Sequence, residues 1–248
     1  DNAKFYMDLL RKDATQWSNP IVRASFAEAH YDIAVHYLNK GDKSAAILHY
    51  RKALSANPEL RDAHYNLAVL LAEGGQTESA IVHYREALRI TPDYFKAHNN
   101  LGKIYAESGD AEAAITHYRQ ALLHVPESVD TLNNLGNALV ALGQATEAVT
   151  HFEKAISINE ADARSHYNHG AALGSLGRYD DAIIAYQRCV ALNPDHMLAH
   201  NNLGTALARM KRYQEAEKHL RKAIALDPDY QPAKRNLRLL KSLREQSP

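Results

Sequence analysis

The chain of 248 residues has one cysteine, one tryptophan and no excess of charge of either sign. A single cysteine excludes a disulfide framework within the chain. Cys189 falls at a small-residue position of a predicted helix, so we expect a buried thiol. The 29 lysines and arginines are balanced by 29 aspartates and glutamates. The chain therefore has no net positive charge that would attract nucleic acid or an anionic membrane surface. The sequence has no apolar run of about 18 residues, so no membrane-spanning helix is predicted.

Motifs that carry chemistry are also missing. The sequence has no Gly-rich phosphate loop with lysine, no Gly-x-Ser-x-Gly turn, no His-Glu-x-x-His pair and no Cys-x-x-Cys. Its carboxylates are scattered, and no two are predicted to face each other in an apolar cleft, as acid–base catalysis needs. We therefore predict no catalytic residue, no cofactor and no enzymatic activity.

What the chain does have is a period of 34 residues, which indicates one supersecondary unit copied along the sequence. Prolines mark the period at Pro58, Pro92, Pro126, Pro194 and Pro228. Alanines in phase at Ala46, Ala80, Ala114, Ala148, Ala182 and Ala216 are followed four residues later by Tyr50, Tyr84, Tyr118, Phe152, Tyr186 and Leu220. A glycine stands in the middle of the first five units, at Gly41, Gly75, Gly109, Gly143 and Gly177.

Each unit is predicted to be two antiparallel helices of about 14 residues joined by a tight turn. The small residues allow the two helices to approach closely, and the aromatic ring fills the space between them. The proline ends the second helix, because it cannot continue the hydrogen-bond ladder. Glu160 replaces the proline of the fourth unit and Lys211 the glycine of the sixth. We expect each loss to loosen a turn without removing a helix pair.

Two segments, AHNNLGKIYAESGDAEAAITHYRQALLHVPE from Ala97 and AHNNLGTALARMKRYQEAEKHLRKAIALDPD from Ala199, show the unit in full. They resemble tetratricopeptide repeats at nearly every signature position, and are similar to the repeats of the O-GlcNAc transferase arm and of soluble tails of membrane glycosyltransferases. The resemblance covers six repeats, residues 27–230. It implies an all-α fold, a right-handed superhelical solenoid whose concave face is made by the first helix of each repeat. We predict an N-terminal helix and linker in residues 1–26, in which the helix covers Asp1 to Trp17 and Asn19-Pro20 ends it, and a capping helix in residues 231–248.

Fourteen histidines are the one oddity of composition. Ten are periodic: His30, His64, His98, His166 and His200 near the start of first helices, and His49, His83, His117, His151 and His219 in second helices. Equivalent residues of stacked repeats lie about 8–10 Å apart, too far to share a metal ion. His166 and His169 are the only pair with suitable local spacing. We expect the rings to cover core edges, and we predict no metal site.

The sixth position of successive repeats is occupied by Asn66, Asn100, Asn134, Asn168 and Asn202, and we call these five residues the asparagine ladder. An amide side chain offers a donor and an acceptor, which match one peptide unit of a ligand backbone. The pattern resembles the asparagine ladder of the O-GlcNAc transferase arm. Asparagine is also frequent at this position across the family, so a purely structural role is the alternative.

Neighbouring positions of the same helices would supply selectivity. Tyr31 and Tyr65 form an aromatic stretch in the first two repeats, and Lys103 and Asn137 are polar positions further along the chain. A ligand could be anchored by apolar groups at one end and by polar contacts beyond it. Alternatively, the tyrosines pack against adjacent helices.

The predicted function is that of a scaffold or adaptor that binds extended peptide segments of protein partners. Two alternatives stay open: an accessory repeat arm of a glycosyltransferase or membrane protein, and an array that assembles with itself into oligomers or fibres. We predict no nucleic-acid partner and no direct membrane insertion within this chain. The sequence begins at Asp1 without a methionine, so we expect residues upstream of it. The compartment is therefore unknown, with the cytoplasm as the default and an extracytoplasmic location as the alternative.

Overall fold

The structure is a computed structural model that describes residues 19–245. Within that range it has thirteen helices and no strands. They are α1 Pro20–Asn39, α2 Lys43–Ala56, α3 Arg61–Glu73, α4 Thr77–Ile90, α5 Phe95–Glu107, α6 Ala111–His124, α7 Val129–Ala141, α8 Ala145–Ile158, α9 Ala163–Ser175, α10 Tyr179–Leu192, α11 Met197–Arg209, α12 Tyr213–Leu226 and α13 Gln231–Glu245. The chain divides into two compact units between Ile104 and Tyr105, and each is described by itself.

In the first unit, α1 packs on α2, α2 on α3, and α3 on α4. The core between these helices holds Tyr50, Leu67, Leu71 and Tyr84, all at most 2% exposed. In the second unit, consecutive helices from α6 to α13 pack on one another around one apolar cluster, which runs from Ala114 to Leu240. The predicted helix pairs and the all-α class are therefore confirmed in both units.

Small residues set the distance between the two helices of a repeat. A Cβ built on Gly136 of α7 would lie 2.5 Å from the ring of Phe152 on α8. A Cβ on Gly204 of α11 would lie 2.7 Å from the side chain of Leu220 on α12. Because real Cβ atoms do not approach other atoms so closely, a larger residue at either position would displace the facing side chain of Phe152 or Leu220.

Second helices end where the prolines predict. The helices α2, α4, α6, α10 and α12 each end two residues before a proline of the period. The fourth repeat ends its second helix at the same place, since α8 stops at Ile158 and Asn159 is extended with φ of −139°. The turn after this helix is also kept, because Asp162 N donates to Asn159 O at 3.2 Å as Tyr94 N donates to Thr91 O at 3.1 Å, so the expected loosening at Glu160 is wrong.

The turn within a repeat keeps one geometry in all described copies. Its glycines have φ between 74° and 86°, and Lys211 in the sixth repeat has φ of 59°. Backbone hydrogen bonds are also kept, because Lys211 N donates to Ala208 O at 3.0 Å as Gly143 N donates to Val140 O at 2.9 Å. The expected loosening of this turn is wrong: the turn is preserved, and the lysine adopts a left-handed conformation that is unfavourable for a residue with a Cβ.

The first helix is longer than the others because it begins before the repeat does. The Asn19 side chain accepts a hydrogen bond from Ile21 N at 2.9 Å, and Pro20 occupies the first turn. Asn19 and Pro20 thus start α1, whereas the sequence predicted that they only end a preceding helix. That preceding helix, residues 1–17, lies outside the described residues. The domain boundaries stay predictions. No described helix is long and apolar enough to cross a membrane.

The left-handed lysine yields a stability prediction. Replacing Lys211 by glycine should stabilise the protein by about 0.5–1 kcal/mol, because glycine adopts positive φ without the steric cost. The reverse change at the equivalent position, Gly177→Lys, should destabilise it by a similar amount. Thermal or urea unfolding measures both. Equal stability of Lys211→Gly and the wild type would show that the turn stores no strain.

The last helix yields a second prediction. Leu240 of α13 is 3% exposed within the core cluster, and Leu237 packs against the same cluster. Deleting residues 231–248 should expose the apolar flank of α11 and α12, so the truncated chain should melt at a lower temperature and aggregate. Melting curves and light scattering test this. A monodisperse truncation with an unchanged melting temperature would contradict it.

Candidate functional site

The ladder asparagines of the first unit use their donors within the protein. Asn66 Nδ2 donates to the Tyr31 hydroxyl at 3.3 Å. Asn100 Nδ2 donates to the Tyr65 hydroxyl at 3.3 Å and is also 3.2 Å from the Tyr84 hydroxyl. Each acceptor in the preceding first helix lies 35 residues earlier, so the ladder links consecutive first helices.

In the second unit, ladder asparagines again donate to residues 35 earlier, and some of these side chains are buried. Asn168 Nδ2 donates to Asn133 Oδ1 at 3.0 Å, and both side chains are buried. Asn133 in turn donates to Ser165 Oγ at 2.7 Å. Asn202 Nδ2 lies 3.5 Å from the Tyr167 hydroxyl, the long limit of a hydrogen bond.

Asn134 differs from the other ladder residues. Its Nδ2 is buried and makes no hydrogen bond in the structure, whereas its residue as a whole is half-buried. A buried donor without a partner costs about 1–3 kcal/mol relative to a satisfied one. Asn134 Nδ2 is therefore a ladder donor without a partner among the described residues, whereas Asn66 and Asn100 use their Nδ2 donors within the protein.

The four residues predicted to supply selectivity beside the ladder are two packed tyrosines and two exposed polar residues. Tyr31 is half-buried with its ring 5.7 Å from that of Tyr50. Tyr65 is half-buried between Tyr84 at 5.9 Å and Tyr94 at 5.1 Å. Their hydroxyls accept the ladder hydrogen bonds, so they are part of the framework that orients the asparagines. Lys103 and Asn137 are exposed.

An acidic cavity of about 360 Å³ lies beside Tyr31 in the first unit. Its lining includes four carboxylates, those of Glu28, Asp32, Glu59 and Asp62, and one guanidinium, that of Arg61. Arg61 pairs with Asp62 at 2.9 Å and stacks over the Tyr94 ring at 4.6 Å. Glu59 pairs with Arg89 at 2.6 Å. Because four carboxylates and one guanidinium line the cavity, its negative charge favours a basic group.

Histidines of the two helices of a repeat form direct pairs. The Nδ1 atoms are 2.8 Å apart for His30 and His49, and 2.9 Å apart for His64 and His83. His200 and His219 repeat the arrangement at 2.9 Å in the second unit. These pairs were not predicted from the sequence, because the distances considered there were those between equivalent histidines of successive repeats. The overlooked signal is their constant spacing of 19 residues within a repeat.

The neighbouring backbone assigns the protons of a pair. His64 Nε2 lies 3.0 Å from Pro58 O, and a carbonyl oxygen only accepts, so Nε2 carries the hydrogen. His64 Nδ1 is then the acceptor and His83 Nδ1 the donor. The same contact joins His200 Nε2 to Pro194 O at 3.0 Å. Two protonated rings could not both face each other through Nδ1, so each pair is stable only while at least one ring is neutral.

Burial lowers the pKa of the paired histidines. Burial, followed by the charges of His49 and Lys52, lowers the pKa of His30 to about 4. Burial is also the main cause of the lowered pKa of His64, His83, His200 and His219. Burial raises the pKa of the Cys189 thiol to about 11, as expected for an inert core cysteine.

Among residues 19–245, no group of three or more histidine, cysteine or acidic side chains is placed to hold a metal ion. The pairing of histidine with histidine and with carbonyl oxygen explains the ring positions without one. The described elements thus form stacked helix pairs joined by polar contacts at fixed repeat intervals, which defines an all-α helical repeat protein.

Comparison with known proteins identifies the class more closely. Models of the tetratricopeptide repeat match residues 27–60, 93–161, 127–195 and 167–230, and a model of the TPR repeat matches residues 70–109. The chain belongs to the tetratricopeptide repeat family. No curated protein sequence matches it significantly.

Solved structures agree with this assignment. YrrB, described as a TPR protein with an unusual peptide-binding site, is 27% identical; the match covers 75% of this chain and 96% of YrrB with a TM-score of 0.66. MamA is 24% identical over 69% of this chain and 93% of its own, with a TM-score of 0.64. The pilF protein of Pseudomonas aeruginosa, 21% identical over 86% and 97%, has a TM-score of 0.72. The last two similarities show the fold alone.

The histidine pairs predict a dependence of stability on pH. Their folded-state pKa values lie below the ordinary value of about 6.5, so the stability they contribute is present above that pH. It is lost as the pH falls from about 6.5 towards about 4, the folded-state value of His30. Each kcal/mol lost should lower the melting temperature by about 2–4 °C for a chain of this size.

Thermal melts between these pH values test the prediction. A variant with His49→Gln, His83→Gln and His219→Gln keeps an amide donor for each first-helix ring and removes three titrating groups. It should lose less stability than the wild type over the same range. Identical flat profiles for both proteins would contradict a role of the pairs in acid stability.

Proposed function

We propose that this chain is a protein-interaction scaffold that binds extended peptide segments along its first helices through the asparagine ladder. Tetratricopeptide repeat proteins are generally scaffolds without enzymatic activity, and the family assignment supports this class. The observation that carries the finer proposal is Asn134, whose buried Nδ2 has no partner within the protein. A ligand carbonyl that accepts from it would remove the cost of that unsatisfied donor.

The other ladder residues support the same proposal through their acceptors. Asn66 and Asn100 donate to tyrosine hydroxyls, which holds their amides in one orientation and leaves their carbonyl oxygens to accept from a ligand N–H. Preorganised groups of this kind lower the cost of ordering on binding. Asn168 contributes differently, since it is buried and bonded to Asn133. We assign it to the framework of the ladder.

The acidic cavity of the first unit indicates which peptides are preferred there. Its carboxylates surround Tyr31, whose half-buried ring also offers an apolar surface. A lysine or arginine side chain combines an apolar stem with a cationic head, and so matches both features. The ligand of the first unit is therefore an extended segment with a basic residue. Lys103 and Asn137 are the exposed polar contacts we propose for selectivity further along the chain.

Peptides selected from a random displayed library against the whole chain provide the ligands for a test. Selected peptides should bind about fivefold more weakly to each of the variants Asn66→Ala, Asn100→Ala and Asn134→Ala, which corresponds to about 1 kcal/mol per lost hydrogen-bonding side chain. Peptides that bind at the first unit should carry Lys or Arg, and their affinity for the Glu28→Gln variant should be lower than for the wild type. Calorimetry gives the affinities, and circular dichroism confirms that the variants are folded.

The matched control is Gln120→Ala, which removes an exposed amide from the second helix α6. It should bind the peptides as the wild type does. Undiminished binding by the folded Asn134→Ala and Asn100→Ala variants would overturn the ladder, and would leave the scaffold class to rest on the family alone.

A further inference from the structure

The fifth repeat departs from the others at two positions, one in each of its helices. Second helices carry His49, His83, His117, His151 and His219, but Ala185 takes this position in the fifth repeat. First helices carry Ile33, Leu67, Leu101, Leu135 and Leu203, but His169 takes this position in the fifth repeat. One imidazole is thus lost from the pair position, and another is gained at a core position.

These exchanges coincide with a cavity of the second unit, about 690 Å³ between α8, α9 and α10. His166, His169 and Ala185 line it together with the apolar side chains of Ile156, Leu173 and Ile184. No ladder residue contributes to it. The cavity is therefore a separate feature from the proposed peptide surface.

Two histidine ring nitrogens in the cavity wall, His166 Nδ1 and His169 Nε2, make no hydrogen bond with the described residues. His166 Nε2 lies 3.0 Å from Glu160 O, so it carries the hydrogen and leaves Nδ1 as an acceptor. In the first, second and sixth repeats the equivalent Nδ1 meets a second-helix imidazole at 2.8–2.9 Å. Ala185 offers no such donor. His169 Nε2 is buried without a hydrogen bond, and its nearest carboxylate oxygen, on Glu153, is 3.7 Å away.

We propose that this cavity binds the imidazole side chain of a histidine in a partner polypeptide. The ring would take the place that second-helix histidines take in other repeats and would donate N–H to His166 Nδ1. The apolar side chains contact the faces of the ring. Glu153 and Glu160 at the rim disfavour an anionic ligand. Two guanidiniums, those of Arg178 and Arg188, line the cavity as well; Arg178 pairs with Asp181 at 2.8 Å, so Glu153 and Glu160 still outnumber the remaining cation.

The choice of an imidazole rests on the protein's own geometry. The second and sixth repeats show that a ring of this size, with one N–H directed at the first helix, fits between the two helices of a repeat. A phenyl ring would lack the donor. A carboxylate would lack it too, and would face the acceptor His166 Nδ1 with a second lone pair.

Binding of two probes, free imidazole and N-acetylhistidine amide, tests the proposal at about pH 8, where a histidine ring is neutral. Backbone amide chemical shifts locate the site and give its dissociation constant. Both probes should shift resonances of α8, α9 and α10 in a saturable manner. 1-Methylimidazole, which has the same ring but no N–H, should bind about five- to tenfold more weakly.

Three variants test whether the probes bind in this cavity and through His166. Ala185→His fills the cavity from within and should weaken binding at least about tenfold. His166→Leu removes the acceptor and should do the same; the fourth repeat carries the buried Leu132 at this position, so the change is compatible with the fold. His219→Ala should create a matching cavity beside His200 and add a second site at α11 and α12.

Loss of binding in Ala185→His and His166→Leu with gain of a site in His219→Ala supports the proposal. Absence of saturable shifts at α8 to α10, or equal binding by the wild type and a folded His166→Leu variant, overturns it. Equal affinity for imidazole and 1-methylimidazole also overturns it, because the hydrogen bond to His166 would then contribute nothing.

Discussion

The close approach of the two helices in each repeat is the constraint on which the other features depend. Gly136 against Phe152 and Gly204 against Leu220 leave no room for a Cβ. At this separation a single apolar layer fills the interface, with the aromatic or leucine side chain at its centre. A helix pair of this size cannot bury both of its apolar faces alone, so each pair must stack on the next.

Stacking then decides what the polar groups near the core can do. Amides and imidazoles at the edges of the packed layer lose contact with water and need partners. The structure supplies these partners at two fixed intervals. Four of the five ladder asparagines donate to residues 35 earlier, between repeats, and the second-helix histidines His83 and His219 donate to residues 19 earlier, within a repeat. The asparagine ladder is thus a structural element, and the binding that we propose for it would use the polar groups that this bonding leaves without partners.

In a repeat protein, each position can be compared with the equivalent positions of the other repeats. Because the same position recurs in equivalent surroundings, a copy that departs from the pattern shows what the usual residue does there. Lys211 shows that the turn geometry is imposed by the helix pair, since it persists without glycine. Ala185 and His169 show the reverse case, in which the substitution changes the local surface and opens a cavity. Departures of the second kind are candidates for function, because the packing does not require them.

The sequence by itself determined the helix pairs, their length, the turn between them, the proline-marked ends and the family. Each of these follows from periodicity and from local backbone preferences, which the order of residues contains directly. It did not determine that Asn19 and Pro20 begin α1, since capping residues fit the start of one helix and the end of another equally well. Nor did it predict the partners of Asn66, Asn168 or His64. Those depend on how far one helix is rotated and shifted against the next, and only the tertiary packing of the stacked pairs decides that.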